Sequence, residues 1–253
     1  MGCCLSSRNI KLLIEYDGTH FSGWQTQPRK KTIQKTIETV LGQLTQEKIR
    51  LSGASRTDAG VHALGQVAHF RTSSEISSRK LLGALNGLLP PGIVVKEVGE
   101  VSADFSANRH AKKKTYQYLL WNSEIPSALL RDRVWYIKVP LQISFMQKAA
   151  KYLIGRHDFS AFRGTKSDTK TSVRTIEKIT IQRRGMKGAV VCIQITGNGF
   201  LKYMVRNIVG TLVEIGKGRL QIEEMEKILK SKDRRTASMT APPHGLYLVK
   251  VIY

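Results

Sequence analysis

Ile49-Arg50-Leu51-Ser52-Gly53-Ala54-Ser55-Arg56-Thr57-Asp58-Ala59-Gly60-Val61-His62-Ala63-Leu64-Gly65-Gln66-Val67-Ala68-His69-Phe70 is the stretch on which the fold turns. Ile49–Ser52 begins as a strand, and residues 64–71 alternate apolar and polar as a strand does. Between them lies the polar loop Ser55–Ala63. An Asp held between Arg56 and Gly60, with a strand on either side, suggests an active-site loop. The plainer reading is a turn, because an aspartate carboxylate readily bonds its own backbone. On this stretch alone the two readings stand level.

Working outward, Ile10–Tyr16 reads as a strand ended by the turn Asp17-Gly18. Phe21, Gly23 and Trp24 form an aromatic loop closed by Pro28 and the basic run Arg29-Lys30-Lys31. Thr32 caps a helix with Ile33, Ile37, Val40, Leu41 and Leu44 on one face. After residue 71 a second helix covers Ser78–Leu89, with Leu81, Leu82, Leu85 and Leu88 inward, and Pro90-Pro91-Gly92 stops it. Ile93–Val101 is a further strand. The order β-α-β-β-α-β predicts a ferredoxin-like half, an antiparallel sheet with helices on one face.

The rest of the chain repeats the theme. Thr115–Trp121 alternates as a strand. Ser144 with Gln147 reads as a capping box for a helix striped by Phe145, Met146, Ala149, Ala150, Leu153 and Ile154 and ended by Gly155. Strands follow at Val173–Arg183 and Gly188–Thr196, joined near Gly185. A helix carries Leu201, Met204, Val205, Ile208, Val209 and Leu212 on one face. A shorter helix, Ile222–Lys230, has acids first and lysines last, which suits its dipole. Leu246–Tyr253 alternates as the last strand. The prediction is therefore α+β, two ferredoxin-like halves with a mainly antiparallel sheet, flanking helices and a central cleft. Its parts are a flexible leader over residues 1–8, an N-terminal domain over 9–108 and a C-terminal domain over 109–253, joined through the basic stretch Arg109–Lys114.

Lys and Arg number 41 against 19 Asp and Glu, a formal net charge of +22. That excess favours a polyanionic partner, nucleic acid first. No basic amphipathic helix supports a membrane surface instead, and no run of about 18 apolar residues spans a bilayer. Of the three cysteines, Cys3 and Cys4 are adjacent and Cys192 lies in the apolar run Val190–Ile193 as a buried small hydrophobe. No disulfide framework results, which fits a reducing cytoplasm. Met1-Gly2-Cys3-Cys4-Leu5-Ser6 matches the acylation pattern, but so short a pattern recurs by chance, and we read it as leader.

Six histidines, His20, His62, His69, His110, His157 and His244, form no HExxH or paired Cys/His pattern, so no metal is expected. No GxGxxG or Walker loop appears, so no nucleotide cofactor is expected. Asp58-Ala59-Gly60 has the look of an aspartic-protease loop, but that chemistry needs two such carboxylates and only one loop exists. On the helix from Leu201, Arg206 lies about 130° from the centre of the apolar stripe, and Lys202 lies on a similar flank. Each is either a solvated basic edge or a group turned to the cleft, where Arg206 can pair with Asp58 and keep it ionised. Tyr116 follows the basic run Arg109–Lys114. A ring beside a phosphate-binding run is a recurrent nucleic-acid device, although Tyr116 and Tyr118 share a face and both can be sheet aromatics.

Taken jointly, several blocks resemble the TruA family of tRNA pseudouridine synthases. They are Arg56–Ala63, Phe105-Ser106-Ala107 through Lys114–Tyr118, His157–Arg163, Val173–Ile176, Gly199–Leu201 through Met204–Thr211, and Gly245–Leu248. They occur in the family's order from about Ile10 to Tyr253. The resemblance implies isomerisation of uridine to pseudouridine in the anticodon stem-loop of tRNA at positions 38 to 40, by a cytoplasmic homodimer without cofactor or metal. It implies Asp58 as nucleophile, Tyr116 stacked on the target base and Arg206 paired with Asp58. It implies substrate contacts from Arg56, Lys114, Lys202 and Leu246 as well as Tyr116. Two residues depart from the family pattern: Ser55 stands where Gly is usual, and Gln117 where Arg is usual.

Overall fold

The computed structural model describes residues 7–165, 171–185 and 188–253. Cys3, Cys4 and the acylation pattern lie outside them. Arg8, within the segment expected as leader, already opens the first strand. The chain divides into two compact units, one running through Lys112 and regaining Leu248–Tyr253, the other Lys113–Tyr247.

The first unit contains β1 (Arg8–Tyr16), α1 (Ile33–Thr45), β2 (Ser52–Gly53), β3 (His62–Thr72), α2 (Ser78–Leu88) and β4 (Ile93–Val101). β1 is central and antiparallel to both neighbours, Leu12 facing Ala68 on β3 and Val98 on β4. β2 pairs with β3, Ser52 opposite His69, which gives the strand order 4-1-3-2 of a ferredoxin-like unit. The returning strand β10 (Leu246–Ile252) also lies against β3. Thr32 and Ser77 cap the two helices, their hydroxyls accepting from Lys35 N and Lys80 N. Ile10, Leu12 and Ile14 of β1 are buried, as are Ile33, Ile37 and Leu41 of α1 and Leu81 and Leu85 of α2. Each such side chain contributes roughly 1.5–3 kcal/mol through burial. Leu88 was expected inward but is 55% exposed, because the helix ends there and Leu89 takes the buried position.

The second unit contains β5 (Lys113–Asn122), β6 (Trp135–Ile137), α3 (Ile143–Ala150), β7 (Gly155–Asp158), β8 (Val173–Arg184), β9 (Val190–Gly197), α4 (Met204–Gly216) and α5 (Glu224–Ser231). Its strands run in the order β5-β9-β8-β7, antiparallel throughout, with β6 added parallel to the end of β5. Tyr116, Tyr118 and Leu120 are buried along β5 and pair with Ile195, Ile193 and Val191 of β9. Cys192 is buried in β9, and burial pushes its thiol pKa up.

Several boundaries differ from the sequence reading. The strand expected over Ile49–Ser52 shrinks to Ser52–Gly53, because Leu51 N donates to Glu38 Oε1 and Leu51 O accepts from Gln34 Nε2 of α1; β3 already starts at His62, and α5 at Glu224. The Ser144–Gln147 capping box does not form: α3 starts at Ile143, and Gln142 caps it without a side-chain bond. Tertiary bonds fix that start, because Gln142 N donates to Gly216 O and Gln147 Nε2 donates to Ile181 O. Gly155 opens β7 instead of closing the helix. A 3-10 turn over Lys151–Leu153 intervenes and leaves Ile154 44% exposed. Finally, α4 starts at Met204, not Leu201, because Tyr203 sits in the left-handed region at φ 62°.

Candidate functional site

The predicted site residues divide between the units: Arg56 and Asp58 belong to the first, and Lys114, Tyr116, Lys202, Arg206 and Leu246 to the second.

In the first unit the Asp58 loop is held by the segment that follows β1. Trp24 N donates to Thr57 O, Gly60 N to Phe21 O, and the Tyr16 and Thr57 hydroxyls lie 2.7 Å apart in the core. Val61 N closes a turn onto Asp58 O. Gly60 takes φ 75°, a conformation that costs glycine little and other residues more. Gly23, at φ 87°, lies so close that a Cβ on it would stand 2.7 Å from Thr57 O. His62 is buried with Nδ1 3.1 Å from both Gly18 N and Asp17 Oδ1. It fastens the loop's exit to the turn after β1. Ser55 is buried, and its backbone is gripped by the side chain of Gln66. Ser55 N donates to Gln66 Oε1 at 3.3 Å, and Gln66 Nε2 donates to Ser55 O at 2.7 Å. These bonds use main-chain atoms only, so a serine or a glycine satisfies them equally. Asp58 is thus half-buried on a fixed loop, while Arg56 is exposed.

In the second unit Tyr116 is buried on β5, and the Phe200 ring stands edge-on to it, centroids 5.1 Å apart at 81°. Tyr118, two residues on, is structural. It is fully buried, its hydroxyl donates to Pro242 O at 2.7 Å, and Gly245 packs against its ring. Burial raises the Tyr118 pKa, so the hydroxyl stays protonated. Gln117, on the opposite face, accepts a bond from Gln194 Nε2. Lys114 is half-buried at the start of β5, and burial together with Arg174 lowers its pKa to about 8.

Arg206 is half-buried in the first turn of α4. Its Nε donates to Ala241 O at 2.7 Å, and its guanidinium carbon lies 5.0 Å from the Tyr203 ring centroid. Lys202 is exposed, with Nζ 5.2 Å from the same ring. Two cations on one aromatic ring are each attracted to its face. Tyr203 packs on Gly164, where a Cβ would meet the ring at 2.5 Å. Behind Arg206, Asn207 is fully buried. Its amide donates to Phe162 O, and its oxygen accepts from Thr240 Oγ1 and Arg234 Nη2, which fastens the 234–241 segment to α4. Leu246 is buried at the start of β10.

Sequence reasoning did not assign roles to Phe200, Tyr203, Asn207, Arg174 or Gln66. The Gly-x-Gly-Phe string ahead of α4 was visible, but the left-handed Tyr203 carries no local signal, since tyrosine rarely takes that conformation. Among the described residues no group of three His, Cys, Asp or Glu side chains is placed to hold a metal ion, and no helix is long and apolar enough to cross a membrane.

The family model described as tRNA pseudouridine synthase matches residues 12–108 and 149–253. A tRNA pseudouridine synthase A of Acetivibrio thermocellus is 52% identical to the chain over 97% of its length and the whole of the relative. Proteins of the same name from a Thermoanaerobacter species and from Caldicellulosiruptor bescii are each 46% identical over the same shares. Among solved structures, a chain of a Cbf5-Nop10-Gar1 complex aligns with 94% of this chain and 57% of its own, at 12% identity and a TM-score of 0.33.

Proposed function

Because the chain belongs to the tRNA pseudouridine synthase family, we propose that it isomerises uridine to pseudouridine in the anticodon stem-loop of tRNA, at positions 38 to 40, with Asp58 as nucleophile. The observation that carries this reading is the Asp58 loop itself. One half-buried carboxylate sits between Arg56 and Gly60, and Tyr16, Phe21, Trp24, His62 and Gln66 fix the loop around it. A turn that served only to reverse the chain would not need five anchors.

The reaction is redox-neutral. The bond from the ribose C1′ to N1 of uracil breaks, a bond from C1′ to C5 forms, the C5 proton leaves and N1 gains one. Asp58 starts the exchange by attacking the pyrimidine ring, by attacking the sugar or by stabilising an elimination intermediate. Arg206 pairs with Asp58 and keeps it charged. Tyr116 stacks on the target base, and Phe200 limits the tilt of its ring. Arg56, Lys114 and Lys202 contact the RNA, and Leu246 shapes the pocket. A stacked uridine is out of reach, so the nucleotide flips out at a cost of a few kcal/mol. The phosphate contacts that the +22 charge allows offset this cost. The same reading makes the protein a cytoplasmic homodimer.

The test is Asp58→Asn in the full-length protein, with pseudouridine mapped chemically in unmodified tRNA. Pseudouridine formation is expected to vanish while tRNA binding persists. Turnover near the wild-type rate would overturn the nucleophile assignment, and a wild-type protein that binds tRNA without modifying it would overturn the enzyme reading.

A further inference from the structure

At the end of the second unit's sheet two cations stand on either side of a glycine-rich stretch of backbone. Lys114 of β5 stands opposite Gly197 of β9, and Gly197 stands opposite Ile176 of β8. Residues directly opposed in antiparallel strands share a face. Arg174, two residues before Ile176, therefore stands on the face of Lys114, one row further toward the sheet's end. The chain between them is Gly197-Asn198-Gly199. A Cβ on Gly199 would lie 3.7 Å from Arg174 Cδ and Nε, and Gly197 admits none at all, since a Cβ there would stand 2.5 Å from Thr175 O. The floor between the two cations is main chain with the Phe200 ring against it at Gly197, where a Cβ would stand 3.4 Å from Phe200 Cζ, and it is held in place by Asn198, which donates to Thr175 O and accepts from Thr175 N.

Arg174 is pinned, its Nη1 donating to the carbonyl oxygens of Thr171 and Val173. Burial depresses the Lys114 pKa most, and the two side chains are close enough that the Arg174 charge adds to it. Two like charges held half-buried side by side oppose one another, and a single anion seated between them attracts both. The next residue on the Lys114 face is Tyr116, with Phe200 edge-on to it.

We propose that Lys114 and Arg174 together clamp one phosphodiester of the RNA substrate over the Gly197–Gly199 floor, the one adjoining the nucleotide whose base lies on Tyr116. The identity of the anion as RNA rests on the pseudouridine synthase reading above. The joint action of the two cations on one phosphate goes beyond it.

The test uses the full-length protein and synthetic anticodon stem-loop RNAs, each with one uncharged methylphosphonate linkage. Affinity is measured across a salt series for wild type, R174Q and the K114Q/R174Q double variant. The double variant is expected to bind the unmodified RNA about tenfold more weakly, with a log–log salt slope reduced by about one. At one linkage the methylphosphonate should cost wild type the same factor and cost the double variant nothing. A slope reduced by about two, an equal loss at every linkage, or no loss would overturn the clamp. Matching melting temperatures establish that the variants are folded. Should the double variant fail that control, Gly199→Ala keeps both charges and adds a methyl group to the floor. It should weaken binding at the same linkage, and unchanged binding there would overturn the clamp. Wild-type pseudouridine formation without a linkage-specific effect removes the clamp alone. RNA binding without pseudouridine formation removes the enzyme reading and leaves the linkage result readable.

Discussion

Gly18 shows how little tolerance the Asp58 loop has. A Cβ there would stand 2.0 Å from the carbonyl oxygen of Val61, so Gly18→Ala has to push the loop's exit away from the turn after β1. We expect this to destabilise the protein by about 2–3 kcal/mol. It should appear as a lower urea midpoint with an unchanged m-value, together with a loss of pseudouridine formation larger than the loss of tRNA affinity. Lys114 offers a second test at this scale. Its pKa in the folded protein is about 8, below the ordinary lysine value, through burial first and the Arg174 charge second. The positive form is present below pH 8 and is lost as the pH rises through it. RNA affinity should therefore fall across that interval, and R174Q, which removes one cause of the depression, should move the fall to higher pH. Folding responds in the opposite sense. Between about 8 and the ordinary lysine value the unfolded chain retains a proton that the folded chain has released, so this lysine's unfavourable contribution to stability fades as pH rises there.

Among the elements, the local code was readable where sequence and packing agree. Thr32 caps α1 as its position ahead of an apolar run indicates, and the alternation along β1, β5 and β9 matches their buried faces. It failed where a distant partner decides the outcome. β6 has three residues and exists because Asn122 Nδ2 binds the carbonyl oxygens of Ile137 and Val139. The start of α3 belongs to Gly216, a neighbour from α4. No window of sequence contains such bonds. The ends of helices also hold a usable residue of strain. α1 terminates at Gln46 in the left-handed region, φ 57°, where glycine fits best. Gln46 is exposed, and its side chain makes one bond, from Nε2 to Gln43 O. Gln46→Gly should raise stability by about 0.5–1 kcal/mol, seen as a higher melting temperature with activity unchanged. A fall in melting temperature would show that the Gln43 bond outweighs the backbone strain.

For the molecule as a whole, the two-part α+β plan and the nucleic-acid partner follow from features spread over many residues, the repeated element order and the +22 charge. Asp58 stood out as a candidate because Arg56 and Gly60 frame it, and its role is part of the proposal. The roles of Tyr203, Asn207 and Gln66 were not legible, because each depends on a backbone angle or a buried bond that its residue type does not announce. The last strand carries a prediction that only this scale shows. Val249 O lies against Gly65 of β3, Lys112 N donates to Ile252 O, and Tyr253 donates to Ala107 O while its ring meets Phe105 at 5.0 Å. Deleting Leu248–Tyr253 exposes the β3 edge and opens a gap beside Phe105. We expect the first unit's amides to exchange rapidly with solvent while those of β8 and β9, which keep their partners, stay protected. Uniform protection across the truncated chain would contradict this.

The return of β10 also bears on the order in which the protein is made. The first unit begins with β1, yet its β3 edge is closed by residues that leave the ribosome only after the whole of the second unit. Until then the strand behind the Asp58 loop has an unpaired edge, open to β-pairing with neighbouring chains. Emergence of Leu248–Tyr253, and not of the first 112 residues, is thus the event that closes the unit holding Asp58.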